Sequence, residues 1–153
     1  MYSRILVAID GSDTSELGLR EAINLGKDQN AVLLLVHVVD ISEAYMTVDT
    51  PYPFAEYQKA LQEAGEKLLA RCITKARAAG AVVESKLIII KTYGEYIYDA
   101  IEKQSREWMA DLVVIGTHGR RGSQSLMLGS VAEGLIRVAT KPVLLVRAPK
   151  QEA

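Results

Sequence analysis

Residues 111–131 read DLVVIGTHGRRGSQSLMLGSV, and the order of the parts within them constrains the whole chain. Leu112–Gly116 is a near-continuous apolar run, the pattern of a strand buried on both faces as in a parallel sheet. It gives way at once to glycines at 116, 119, 122 and 129, and helical periodicity resumes only from Ser130. A strand that leaves a buried sheet through glycines and enters a helix is a turn in which open α/β sheets hold anions. Bare backbone approaches the ligand there, and unpaired N–H groups and the positive end of the helix dipole face it. A plain surface loop rich in glycine has the same composition, so the glycines alone leave both readings open.

Outward from this segment the same kind of run recurs, as RILVAI at 4–9, VLLLVHVV at 32–39, KLIII at 86–90 and VLLVR at 143–147. Helices are predicted between them at 14–28, 55–79, 95–108 and 130–139. Asp13 with Glu16 three residues on reads as the start signal of the first helix, and Gly80 as the stop of the second. Five strands in strict alternation with four helices predict an open α/β sheet with helices on both faces, because right-handed crossovers place them there. Residues 1–153 read as one domain without repeat or linker, with 149–153 expected to form a flexible tail. The segment DISEAYMTVDTPYPFAEY (40–57) resists assignment, with two prolines and three tyrosines in it. A loop of this length is often functional, and a variable surface excursion accounts for it equally well.

The 153 residues are 49% hydrophobic and 24% charged, which suits a globular domain able to bury a core without disulfide or metal. The formal net charge of -1 argues against a surface built to hold nucleic acid, which normally concentrates Lys and Arg. Cys72, in the helix-like LLARCITKA, is expected to be a buried apolar residue. MYSRILVAID begins a strand almost at once and has neither the apolar core nor the cleavage site of a signal peptide. No apolar stretch approaches the length that spans a bilayer. A cytoplasmic protein with no membrane association is therefore expected.

Catalytic signals are sparse. No GxxxxGK[ST] string is present, so the lysine that would reach terminal phosphates in a P-loop is missing. DGSDTS, after the first strand, has one glycine before its serine, where an adenylating loop of the pyrophosphatase type has two. His37 and His118 share no ligand-spaced cluster with cysteines or carboxylates, and no nucleophile has a base at hand.

The spacing G-x2-G-x9-G-S, here GTHG-RRGSQSLML-GS over 116–130, resembles the ATP-binding signature of the universal stress protein family, and it follows the fourth strand as it does there. RILVAIDGS resembles that family's first strand, HVVD the end of its second and TKPVLLVR its last, so the likeness covers nearly the whole chain. The resemblance implies a Rossmann-like twisted parallel sheet of order 3-2-1-4-5. Its switch point lies between the first and fourth strands, where AIDGSDTSE faces the glycine loop across one crevice.

The resemblance also implies a nucleotide site. Asp10, flanked by Ala8, Ile9 and Gly11, would meet the ribose, and the backbone at Val38 would meet adenine. Gly116, Gly119, Gly129, Ser130 and the N–H of Val131 would hold the phosphates, with Thr117, His118 and Arg120 beside them. The implied cofactor is ATP, with magnesium held by the phosphates and Asp10 where it accompanies the nucleotide. The implied role is a regulatory or stress-response module with an unidentified protein partner and little or no hydrolysis. A nucleotide-independent interaction protein and a slow ATPase are the alternatives. The strand order leaves PVLLVR as an apolar edge that must be covered, which together with the family's usual dimer predicts a homodimer through Val143, Leu144, Leu145 and Val146.

Plainer readings stand beside these. Asp10 precedes Gly11 and fits a turn. Ser130 fits a helix cap. His118 and the pair Arg120–Arg121 fit a solvated loop, and His37 fits a packed or hydrogen-bonded strand end. Gly129 is expected to admit close backbone approach and to take a positive φ.

Overall fold

The computed structural model describes residues 1–42, 54–118 and 128–149. Strands β1 (Arg4–Ala8), β2 (Val32–Asp40), β3 (Val82–Ile90), β4 (Leu112–Gly116) and β5 (Val143–Val146) alternate with helices α1 (Asp13–Gln29), α2 (Phe54–Ala78), α3 (Ile97–Glu107) and α4 (Ser130–Val138). The strands form one sheet of order β3-β2-β1-β4-β5, parallel at every pairing, as the resemblance implied.

The apolar strands split by alternation onto two faces. Ile5, Val7, Leu33, Leu35 and Val114 join Leu19 and Ile23 of α1 and Leu68, Leu69 and Cys72 of α2 in one core. Leu6, Leu34, Val36, Val113 and Ile115 join Ile101 of α3 and Ala132 and Leu135 of α4 in the other. Because both neighbours of each face are needed, the central strands carry no polar side chain between Ile5 and Val7 or between Leu33 and Val36. Full burial of each such side chain contributes about 1.5–3 kcal/mol.

Most bounds fall within two residues of expectation, and two departures have a physical cause. The third strand begins at Val82 rather than at 86, and its Glu84, Ser85 and Lys86 are exposed. Among the described residues β3 is an edge strand paired only with β2, and an edge accepts polar residues that interrupt the apolar run a buried strand shows. The cap of α1 is Ser12, not Asp13: its Oγ accepts from Ser15 N–H at 3.2 Å. Asp13 and Glu16 lie in the first turn, and the Glu16 carboxylate pairs with Lys75 Nζ at 2.8 Å. Gly80 does stop α2, at φ +90°, with Ala81 N–H donating to Ala76 O at 3.0 Å and Gly80 N–H to Arg77 O at 2.9 Å. In the segment 40–57, Asp40 ends β2, Ile41 and Ser42 are buried, and Phe54–Tyr57 open α2. Residues 43–53, and 150–153 of the expected tail, lie outside the described residues.

Candidate functional site

β1 and β4 are neighbours in parallel register, Ile5 to Val7 beside Leu112 to Val114, so the loops that follow them leave the same edge of the sheet side by side. On the β1 side the chain is anchored before it turns. Ile9 is buried, its N–H donates to Val36 O at 2.8 Å, and its O lies 2.6 Å from His37 Nδ1. His37 is thus the hydrogen-bonded strand residue expected of it. Asp10 and Gly11 then make the turn into α1. Asp10 Oδ1 accepts from Ser12 N–H at 2.9 Å, Asp10 N–H donates to Ser15 Oγ at 3.1 Å, and Gly11 takes φ +82°. The turn-forming reading of Asp10 is realised. A carboxylate offers roughly four acceptor positions, so the turn and a ribose contact are compatible.

On the β4 side, hydrogen bonds tie the two ends of the glycine loop together. Thr117 N–H donates to Val146 O at 2.9 Å, and Thr117 O accepts from Gly129 N–H at 2.7 Å. The loop is also fastened to α1. Ser12 Oγ donates to His118 O at 3.2 Å, the Thr14 hydroxyl donates to the same oxygen, and His118 N–H donates to Thr14 Oγ1 at 3.3 Å. His118 Nδ1 lies 3.0 Å from Thr117 Oγ1. Gly116 owes its bareness to this docking. A Cβ there would stand 2.4 Å from Thr14 Oγ1 and 2.7 Å from the Thr14 carbonyl carbon.

α4 starts at the far end of the loop. Its N-cap is Gly129, at φ −61° and ψ 155°, with no side chain to cap the first turn. The expected positive φ is therefore not found, and glycine serves here by the absence of a side chain rather than by torsion. Ser130 is the first helical residue, exposed and one place past the cap position. The plain capping role does not apply to it. The first N–H groups of a helix, including that of Val131, have no partner within the helix.

The Val38 backbone also faces this region. Residues two apart in a parallel ladder turn their N–H and C=O to the same neighbour, and Val36 O accepts from Ile9 N–H. Val38 therefore aims its polar backbone past the end of β1. Ala8, Val38 and Val131 pack with Ile97 and Tyr98 against the second core. The structure thus brings together, at one edge of the sheet, Ala8, Val38, Asp10, Gly11, Gly129, Ser130 and Val131, with Ile9, Gly116, Thr117 and His118 as the scaffold between them. Gly119 and Arg120 lie outside the described residues.

Beside the loop is a cavity of about 280 Å³ lined by Thr117, His118, Leu128, Leu145 and Arg147. Among the described residues no three His, Cys, Asp or Glu side chains are grouped to hold a metal ion. An arrangement of bare backbone and helix N–H groups suits anion binding. Cys72 is buried, as expected, and burial together with the Glu16 carboxylate pushes its thiol pKa up, which keeps it protonated and unreactive.

The family model of the universal stress proteins matches residues 1–147. The chain belongs to the universal stress protein family. It is 34% identical over 153 residues to the universal stress protein YxiE of Bacillus subtilis, covering 96% of this chain and 100% of the relative. It is similar to a crystal structure of a universal stress family protein from Burkholderia pseudomallei, at 33% identity and a TM-score of 0.76, with 96% and 97% of the two chains covered. A universal stress protein of Archaeoglobus fulgidus, solved in complex with dAMP, is 28% identical with a TM-score of 0.66, covering 95% of this chain and 98% of that one. Among the described residues no helix is long and apolar enough to cross a membrane.

In this universal stress protein, sequence reasoning missed the first turn of α1. Thr14 and Ser15 are buried polar residues; the Thr14 hydroxyl joins the two loops, and the Ser15 hydroxyl accepts from Asp10 N–H within the turn. The available signal was the run SDTS, four short polar side chains at a helix start, where such side chains bond to backbone. Arg147, in the cavity beside the loop, reads in the sequence only as the polar end of a strand.

Proposed function

We propose that this universal stress protein binds an adenine nucleotide, ATP with or without magnesium, between the loops after β1 and β4. In this reading it is a cytoplasmic regulatory or stress-response module with little or no hydrolysis, acting on a protein partner through its nucleotide state. The observation that carries the reading is the start of α4. A glycine without a side-chain cap opens the helix at the end of a loop whose ends are joined beside the switch point. The Ser130 hydroxyl and the N–H of Val131 would hold phosphate, Asp10 the ribose, and the Val38 backbone adenine, with Ala8 beside it. Gly119 and Arg120 would complete the phosphate side. The dAMP bound by the Archaeoglobus relative supports the ligand class, and the glycine spacing supports ATP within it. Calorimetric titration with ATP and magnesium tests the reading, and no binding at millimolar concentration would remove it.

A nucleotide-independent interaction protein is the second reading, favoured by Gly116, whose bareness Thr14 demands whether or not a ligand is present. Mass spectrometry of the denatured protein separates the two, since endogenous adenine nucleotide would be released only under the first.

A further inference from the structure

Tyr98 lies in the first turn of α3, and its ring rests directly on the backbone of α4. A Cβ built at Gly134 would stand 2.1 Å from Tyr98 Cδ1, 2.4 Å from Cε1 and 2.5 Å from Cγ. A stacked neighbour braces the ring. Tyr96 stacks on it with centroids 5.0 Å apart and planes 7° from parallel, and Gly134 itself is buried. Glycine is a poor helix former in a helix interior, and α4 has only 9 residues. The notch for the ring accounts for its presence.

Gly134 follows Ser130 by four residues, so the two share a face of α4, one turn apart. A helix this short moves as a rod, and a shift where Tyr98 meets it carries to its first turn. We propose that Tyr98, seated on Gly134, is a positioning residue that sets where Ser130 and the Val131 N–H stand relative to the nucleotide's phosphates. The inference rests on the nucleotide-binding reading of the crevice and adds to it the contact that holds the phosphate side in place. Binding groups need to be held within about 0.5 Å of their productive geometry, which one methyl at residue 134 would exceed.

The test measures ATP and adenosine affinity by calorimetry, with melting temperatures, for the parent, G134A, Y98A, Y98F and the Y98A/G134A double variant. Displacing the first turn of α4 should weaken ATP by about tenfold in G134A while adenosine, which has no phosphate, stays within about twofold of the parent. The double variant should match Y98A and share its ATP-selective loss, since without the ring the methyl at 134 meets nothing. Y98F should match the parent, because the ring and not its hydroxyl does the positioning. G134A or Y98A that binds ATP like the parent, equal losses for ATP and adenosine, or a double variant weaker than Y98A would each overturn the role of Tyr98. Should G134A fail to fold, Y98A alone decides: an ATP-selective loss supports the proposal and unchanged ATP binding overturns it. A parent that does not bind ATP overturns the nucleotide reading and this inference with it, whereas a binding parent with indifferent variants overturns this inference alone.

Discussion

Gly116 and Gly129 have the same standing in the sequence motif and different causes in the structure. Gly116 is bare because the first turn of α1 presses on it, with backbone of Thr14 among the atoms too close for a Cβ. Backbone cannot rotate aside as a flexible side chain can. Gly116→Ala should therefore destabilise the fold by about 1–3 kcal/mol, as overpacking does, and chemical denaturation without nucleotide should show it. Ser130→Ala should behave in the opposite way. Ser130 is exposed and past the cap position, so its loss should change stability by less than about 0.5 kcal/mol. If its hydroxyl bonds a charged phosphate, ATP binding should weaken by about 1.5–3 kcal/mol, or on the order of 10- to 100-fold. Unchanged ATP affinity in a folded Ser130→Ala protein would remove the phosphate role. The sequence motif could mark both residues as special, but it could not separate a packing glycine from a binding one. That distinction depends on Thr14, which lies 104 residues from His118 in the chain and bonds to it in the fold.

At the scale of elements, the end of α3 offers a test independent of any ligand. α3 closes with Ala110 N–H donating to Ser105 O at 2.8 Å across Met109, which sits at φ +55° and is 71% exposed. A side chain in the left-handed region costs roughly 1–2 kcal/mol. Glycine at the same place gives back part of that gain through the greater freedom of the unfolded chain, about 0.5–1 kcal/mol. With little packing to lose, Met109→Gly should stabilise by about 0.5–1 kcal/mol, seen as a higher denaturation midpoint; a lower midpoint would show that the left-handed turn is not strained. The elements themselves were legible to the degree that they are buried. β1, β2 and β4 lie inside the sheet and read as unbroken apolar runs, and α2 ended at its glycine as written. β3 was half legible, since the polar stretch Glu84–Lys86 is permitted only by an edge position, and edge position is a property of topology. The start of α1 was misplaced by one residue because Ser12, Asp13 and Ser15 are all able caps, and only the hydrogen bond from Ser15 N–H to Ser12 Oγ chooses among them.

Among the described residues the sheet of the molecule has an open edge at β5. That strand pairs there with β4 alone, and its side chains are half-buried: Leu144 and Val146 pack against one core, Val143 and Leu145 against the other. What the edge offers is thus its backbone as much as its apolar side chains. Val113 N–H donates to Pro142 O at 3.0 Å and Thr117 N–H to Val146 O at 2.9 Å, so residues 142, 144 and 146 face β4. By alternation, Val143 and Leu145 turn their N–H and C=O outward. An unprotected edge of this kind is a template for pairing, and a two-fold partner presenting the same strand antiparallel satisfies it with one self-complementary surface. The protein is accordingly expected to be a homodimer through β5, with light scattering returning twice the chain mass of 16.8 kDa. Leu145→Pro makes the prediction specific to this edge. Proline at 145 removes an outward N–H and none of the bonds to β4, and an edge strand tolerates it where a central strand would not. That variant should scatter as a monomer and keep the circular dichroism of the parent. A parent already monomeric at micromolar concentration, or a Leu145→Pro protein that remains folded and dimeric, would place the assembly surface elsewhere.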